Sequence, residues 1–237
     1  MKFYLQWIDR LPSTNQFLKE RLELDTQLAD GTAVAAREQM QGRGRRGREW
    51  LSGANENLTF SVLLRRRCEP QNRPAAAMAA AVAVAECLHT QGISAYLKWP
   101  NDVLVNGKKI CGILSEGVPD GVIVGIGLNV NMQSADHIDQ PATSMRIETG
   151  TRRNVDELLA TLLPFLSVRL DEWVEGGFSN LRKNWEAHVP GIGKPVCVRD
   201  GDSLRQGTLH GFGENGELLL RDETGVVSPV WAGDVCT

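Results

Sequence analysis

Apolar and polar positions along this chain recur with two periods, and the changes of period mark out its elements. Residues 3–8 read as a short strand, and Ser13 and Thr14 then stand at the capping position of a helical pattern carried by Phe17, Leu18 and Leu22. Residues 32–37 read as a buried strand, and residues 58–64 alternate well enough to be its partner. Pro74 opens an alanine-dominated helix that runs to about Gln91, with Gly92 as its cap. From Ile93 to Asn131 the pattern becomes a succession of strands. Asn106-Gly107 makes a two-residue hairpin turn, and Pro119-Asp120-Gly121 turns the next strand back on itself. Residues 132–150 are polar and weakly patterned, as expected of a mobile loop. Asn154 with Glu157 forms a capping box for a helix through Val174, which Pro164 should kink or divide and Gly176-Gly177 should close; a further helix covers roughly residues 178–188. After Pro190-Gly191-Ile192-Gly193 the texture changes to short strands with frequent glycine turns. The expectation is an α+β fold, with a mixed or antiparallel sheet and packed helices over residues 1–189, then a small β-barrel-like unit over 190–237.

Composition narrows the class. At 237 residues and 42% hydrophobic content the chain has enough apolar material for a sizeable core. No apolar run reaches the length of a membrane span, and residues 1–9 are too polar for a signal segment, so a cytoplasmic protein without a membrane partner is expected. The cysteines Cys68, Cys87, Cys111, Cys197 and Cys236 are odd in number and scattered, without a C-x-x-C, which points to reduced and mostly buried thiols. Arg65-Arg66-Arg67 reads as a solvated strand end, and Gly201-Asp202-Ser203-Leu204, although it imitates a hydrolase signature, sits in a hairpin turn.

Against a net charge of −3, the loop Gln39-Met40-Gln41-Gly42-Arg43-Gly44-Arg45-Arg46-Gly47-Arg48-Glu49-Trp50 is a concentrated basic feature. Its glycines let successive backbone N–H groups face one anion, and each arginine offers a planar fork of donors matched to carboxylate and phosphate. Gly42, Gly44 and Gly47 also spell G-x-G-x-x-G, but the glycine, serine and asparagines of residues 50–57 stand where a dinucleotide-binding helix would begin. A nucleic-acid segment would sit in a chain basic over a whole face, and a solvated hairpin is the ordinary reading of a charge run. The loop alone leaves these open.

Other stretches decide. Leu97-Lys98-Trp99-Pro100-Asn101-Asp102-Val103, Lys108-Lys109-Ile110-Cys111-Gly112-Ile113-Leu114 and Gly125-Ile126-Gly127-Leu128-Asn129-Val130-Asn131, together with Ser13-Thr14-Asn15 and Gly42 to Trp50, resemble the biotin protein ligases over nearly the whole chain. The resemblance implies a catalytic domain shared with class II aminoacyl-tRNA synthetases and lipoyl ligases, followed by an SH3-like barrel. It implies joining of biotin and ATP as biotinyl-5′-adenylate, then transfer to one lysine of a biotin carboxyl carrier protein. Members that double as repressors carry a helix-turn-helix domain ahead of the Ser-Thr-Asn motif; with that motif at Ser13, no specific DNA binding is expected, and homodimerisation is left open. A lipoyl or octanoyl ligase of the same fold and, more remotely, a non-catalytic nucleic-acid-binding protein are the alternatives.

By motif match, Ser13, Thr14, Asn15, Gln39, Arg43, Gly44, Arg45 and Lys109 would bind biotin, the first four reading its ureido ring. Arg46, Arg48, Trp50, Asn101, Asn129 and Asn131, with part of the 132–144 loop, would hold ATP and the adenylate, with Mg²⁺ on the outer phosphates through ligands the motifs do not specify. Arg45 and Lys109 would serve adenylation, in which an already ionised carboxylate attacks phosphorus and needs positive charge rather than a base. Asp102 would orient the incoming lysine amine, whose ordinary pKa of about 10.4 keeps it protonated.

Overall fold

The structure, a computed structural model, describes residues 1–65, 70–135 and 138–236. In chain order its elements are β1 (Tyr4–Leu11), α1 (Thr14–Leu24), β2 (Thr32–Gln39), β3 (Gly42–Arg43), β4 (Glu49–Trp50), β5 (Asn57–Leu64), α2 (Arg73–Thr90), β6 (Tyr96–Lys98), β7 (Asp102–Val105), β8 (Lys108–Val118), β9 (Gly121–Asn129), α3 (Met145–Thr149), α4 (Val155–Ala187), β10 (Pro195–Asp200), β11 (Ser203–Phe212), β12 (Leu218–Arg221), β13 (Val227–Val230) and β14 (Asp234–Cys236).

Seven strands form one sheet in the order β1-β2-β5-β9-β8-β7-β6. Only β1 and β2 run parallel, with α1 making the crossover between them; the remaining pairs are antiparallel, so the sheet is mixed. β5 is buried along its full length, because the alternation seen in the sequence faces two covered sides. Leu58, Phe60, Val62 and Leu64 point into the main core with the alanine-rich α2 and the apolar stripe of α4. Its other face, continued by Val34, Ala36, Leu63 and Ile123, packs under α1 through Leu18 and Leu22. The alanines of α2 let that helix lie close on the sheet, with residues 75–85 buried throughout.

Three expectations are corrected. α4 continues through Pro164; its only non-helical backbone angles belong to Gly176 and Gly177. Burial of Leu158, Leu159, Leu162, Leu166 and Leu170 along one face holds the helix across the missing hydrogen bond, and tertiary packing outweighs the local cost of proline. Asn154 caps it as read, accepting from the Asp156 and Glu157 amides. Nor is the 132–150 stretch featureless: residues 141–143 run beside the start of β8, with the Lys109 amide donating to the Pro141 carbonyl (2.9 Å) and the Thr143 amide to the Lys109 carbonyl (2.9 Å). Ser144 then caps α3, its hydroxyl accepting from the Ile147 amide.

The third correction concerns the thiols. Cys197 and Cys236 form a disulfide. Local spacing could not reveal it, because the two residues become neighbours only when β10 and β14 pair antiparallel with Cys197 opposite Cys236. Cys87 and Cys111 are buried free thiols, as read. Burial raises both thiols, Cys87 to about 11, which leaves them protonated and inert. Cys68, with Arg66 and Arg67, lies outside the described residues; Arg65 donates its backbone amide to Asp30.

The last five strands form a separate antiparallel sheet, ordered β13-β12-β11-β10-β14. It is docked on the larger unit by aromatic packing: Phe212 of β11 meets Phe178 and Trp185 of α4 edge-on at 6.3 and 5.8 Å. The Trp99 indole also donates to the Gly216 carbonyl (2.9 Å). Among the described residues no helix is long and apolar enough to cross a membrane.

Two outcomes follow from this packing. Phe178→Ala empties a fully buried aromatic site and should cost about 3–5 kcal/mol in a urea unfolding titration; a loss below about 1 kcal/mol would mean the second sheet is not seated on α4. Non-reducing peptide mapping should recover residues 197 and 236 in one linked pair, and reduction should lower stability by about 2–4 kcal/mol. Free, alkylatable Cys197 in the folded protein would contradict the pairing.

Candidate functional site

A cavity opens on the α1 side of the large sheet, and the residues that line it come from seven separate stretches of chain. Ser13, Thr14, Asn15, Gln39, Arg43, Gly44, Arg45, Trp50, Asn101, Asp102 and Lys109 all contribute, joined by Arg48, Glu49, Gln140 and Asp234. Its floor is glycine. Gly125 and Gly127 sit on one face of β9, and the side chains above them occupy the space that larger residues would fill. A Cβ on Gly125 would stand 2.3 Å from the Asn15 carboxamide oxygen, and one on Gly127 would stand 2.4 Å from the Trp50 ring. The G-x-G within this strand is therefore a packing device, and it lowers the floor of the site.

Over Gly125 lies a neutral polar cluster. Gln39 Oε1 accepts from both the Thr14 amide (2.8 Å) and the Thr14 hydroxyl (3.0 Å). Ser61 Oγ lies 2.6 Å from Thr14 Oγ1 and 2.5 Å from Asn15 Oδ1, while the Asn15 carboxamide donates to Glu116 (2.7 Å). Thr14, Asn15 and Ser61 are buried, Gln39 and Glu116 are partly so, and the groups hold one another in place. Ser13 adds a buried hydroxyl that makes no capping bond to α1. Ser61 was not singled out in the sequence, although its signal was there: a polar residue inside a fully buried strand, pointing to the face opposite the main core.

Two residues further along β9, about 7 Å away at strand spacing, the lining turns ionic. Trp50 covers Gly127, and Lys109 Nζ lies 5.9 Å from the Trp50 ring centre and 2.7 Å from Asp102 Oδ1. Arg45 NH1 donates to Asn101 Oδ1 (3.2 Å) and pairs with Asp234 Oδ1 (3.0 Å), and Arg48 pairs with the second oxygen of Asp234. Burial lowers the Arg45 guanidinium from its ordinary value, partly offset by Asp234. For Asp234, burial raises the pKa, but the hydrogen bond from Arg48 and the charges of Arg45, Arg48 and Arg46 outweigh it and hold the carboxyl low. The buried indole N–H of Trp50 has no hydrogen-bond partner among the described residues.

Three of the residues named from the sequence stand apart from this lining. Arg46 turns outward to pair with Asp200 of the second sheet. The Asn129 carboxamide donates to the Thr143 carbonyl (2.9 Å), and Asn131 donates to the Asn55 and Arg153 carbonyls (3.2 and 3.0 Å) while accepting from the Arg153 amide (2.8 Å). Asn129 thus braces the segment that carries Gln140 into the cavity, while Asn131 ties the end of β9 to residues 55 and 153. Asp234 was not foreseen; it lies far along the chain, and no local pattern distinguishes it.

Comparison with known proteins agrees with this geometry. Residues 7–132 match the model of the Biotin/lipoate A/B protein ligase family. The chain is 37% identical over 235 residues to a biotin--[acetyl-CoA-carboxylase] ligase of Paracoccus denitrificans, covering 91% of this chain and 93% of that one. It is 34% identical over 215 residues to the bifunctional ligase/repressor BirA of Bacillus spizizenii, covering 87% of this chain and 66%, just under two thirds, of that protein. Its fold superposes with a TM-score of 0.82 on the biotin protein ligase from Aquifex aeolicus in complex with biotin and ATP, at 33% identity and with 98% and 97% of the two chains covered. On motif content, cavity construction and these matches together, the chain belongs to the biotin/lipoate A/B protein ligase family.

Proposed function

We propose that this protein is an ATP-dependent biotin ligase, which activates biotin as biotinyl-5′-adenylate and transfers the biotinyl group to a lysine of a biotin carboxyl carrier protein. One observation carries the reading. A largely buried, neutral donor-and-acceptor cluster and a set of cationic side chains lie side by side on one glycine floor, so a ligand with a polar neutral head and a carboxylate tail is held with its tail among the cations.

Biotin has that shape. Its ureido ring carries one acceptor and two donors, which Ser13, Thr14, Asn15 and Gln39 can satisfy, and an unpaired partner in such a buried site costs about 1–3 kcal/mol. Lipoate has no ureido ring and leaves the cluster unmatched. The carboxylate and the α-phosphate of ATP repel one another, and Arg43, Arg45 and Lys109 offset that repulsion as the carboxylate oxygen bonds to phosphorus and the bond to pyrophosphate breaks. Arg48, Asn101 and Trp50 face the nucleotide, and the unpartnered Trp50 indole N–H would find an acceptor there. Mg²⁺ would enter on the phosphate oxygens, where it needs few protein ligands, and would supply charge neutralisation. Gln140, brought in by the braced 138–144 segment, would help shield the mixed anhydride from water.

In the second step a lysine amine attacks the acyl carbon and AMP leaves. Asp102, already placed against a lysine ammonium, is suited to orient the incoming amine and accept its proton. We also infer that β10 to β14 form an SH3-like barrel, that the boundary lies at 189/190, and that the protein acts in the cytoplasm with its carrier.

Biotin-dependent exchange of pyrophosphate into ATP should be observed, with lipoate failing to compete; absence of exchange at saturating biotin would remove the proposal. Arg45→Ala and Lys109→Met should each slow adenylate formation about 10²-fold. Asp102→Asn should instead slow transfer from preformed adenylate in a single turnover, and an unchanged transfer rate would strip Asp102 of its role. Gly127→Val should push Trp50 off the floor and raise the KM for ATP about tenfold or more, with biotin affinity less affected; an unaltered KM would detach Trp50 from the nucleotide.

A further inference from the structure

The arginine loop is gripped by the second sheet. Asp234 of β14 gives one carboxylate oxygen to Arg45 and the other to Arg48, the Gly233 carbonyl lies 3.5 Å from Arg45 NH2, and Asp200 of β10 pairs with Arg46. The Cys197–Cys236 disulfide ties these two strands together within three residues of both acids. Asp234 lines the same cavity as Lys109 and Trp50. Both terminal nitrogens of Arg45 are thereby engaged, by Asp234, Asn101 and the Gly233 carbonyl.

Resting on the ligase reading above, we propose that Asp234 is an affinity-setting residue: a resident carboxylate that competes with the nucleotide's phosphates for Arg45 and Arg48, so that nucleotide binding requires it to release them. The chemistry is one of equivalence. A carboxylate and a phosphate both seek a guanidinium's paired N–H donors, and a donor edge engaged by one is closed to the other. If Asp234 stayed in place while a triphosphate arrived, two anions would share the same arginines, a like-charge contact the site cannot screen well because Arg45 and Asp234 are each only about a quarter exposed (26% and 28%). While the pair persists it preorganises the loop and holds down repulsion between Arg45 and its arginine neighbours; its release transmits nucleotide binding to β14 and the sheet behind it. Glu49 and Asp102 also line this cavity, but Asp102 is committed to Lys109, whereas Asp234 holds two arginines at once.

The test compares binding of a non-hydrolysable MgATP analogue to wild type and Asp234→Asn by calorimetry. The variant keeps an acceptor and loses the charge, and its Kd should fall about three- to tenfold, a gain expected from removing a partly exposed ion-pair competitor; the gain should shrink, without vanishing, in an Arg48→Ala background, where Asp234 still competes for Arg45. An unchanged or weaker affinity in Asp234→Asn would overturn the proposal, since Asp234 would then be a scaffold for the arginines. Biotinol, which keeps the ureido ring and lacks the carboxylate, should bind both proteins equally. Its failure to bind either would tell against the ligase reading itself, and its loss in the variant alone would make Asp234 a folding residue and overturn the proposal. In the wild type, saturating analogue should speed hydrogen exchange at residues 233–236; slower or unchanged exchange there would also count against release.

Discussion

The structure depends on keeping several positive charges close together at a partly buried site. Two unit charges 4 Å apart repel by about 4 kcal/mol at the effective dielectric of a protein surface, so gathering Arg45, Arg48 and Lys109 at one corner, with Arg46 turned outward beside them, is costly without counter-charge. Each has one. Asp102 faces Lys109 from the adjoining strand, while Asp234 and Asp200 reach across from the second sheet to the three arginines. The small sheet is thus more than an appendage: it supplies the anions that let the loop fold into the cavity.

The rest of the fold sets that corner at the right height. β5 divides the molecule, its large residues facing α2 and α4 and its Thr59 and Ser61 facing the site. Glycines opposite those polar residues, Gly125 beside Ser61 and Gly127 beside Thr59, lower the floor so that Asn15 and Trp50 can approach it closely. Neutral recognition and ionic chemistry are separated by two residues of one strand, a spacing that a rigid sheet holds better than a loop does.

Legibility differed by the range of the interaction. Short-range features were readable: the Asn106-Gly107 turn, the Asn154 cap and the Gly176-Gly177 break all depend on neighbours in sequence. Pro164 misled because its local penalty is overridden by leucines buried along the whole helix. The 132–150 stretch misled because residues 141–143 pair beside β8 and accept from the Asn129 carboxamide, which also explains why Asn129 braces a segment instead of lining the cavity.

By itself, then, the sequence determined the order of the longer strands and helices, the position of the change in texture after Pro190, and the chemistry on offer: a glycine-and-arginine loop, a hydroxyl-and-amide cluster at a helix start, and a lysine near an aspartate. Only the tertiary structure decided how these were used. It joined Cys197 to Cys236, turned Arg46 out of the cavity, and brought Asp234 beside residues nearly two hundred positions earlier. The reason is physical: propensity and turn chemistry act over a few residues, whereas the partner of a charge or a thiol is chosen by how separate sheets pack, and no local pattern encodes that choice.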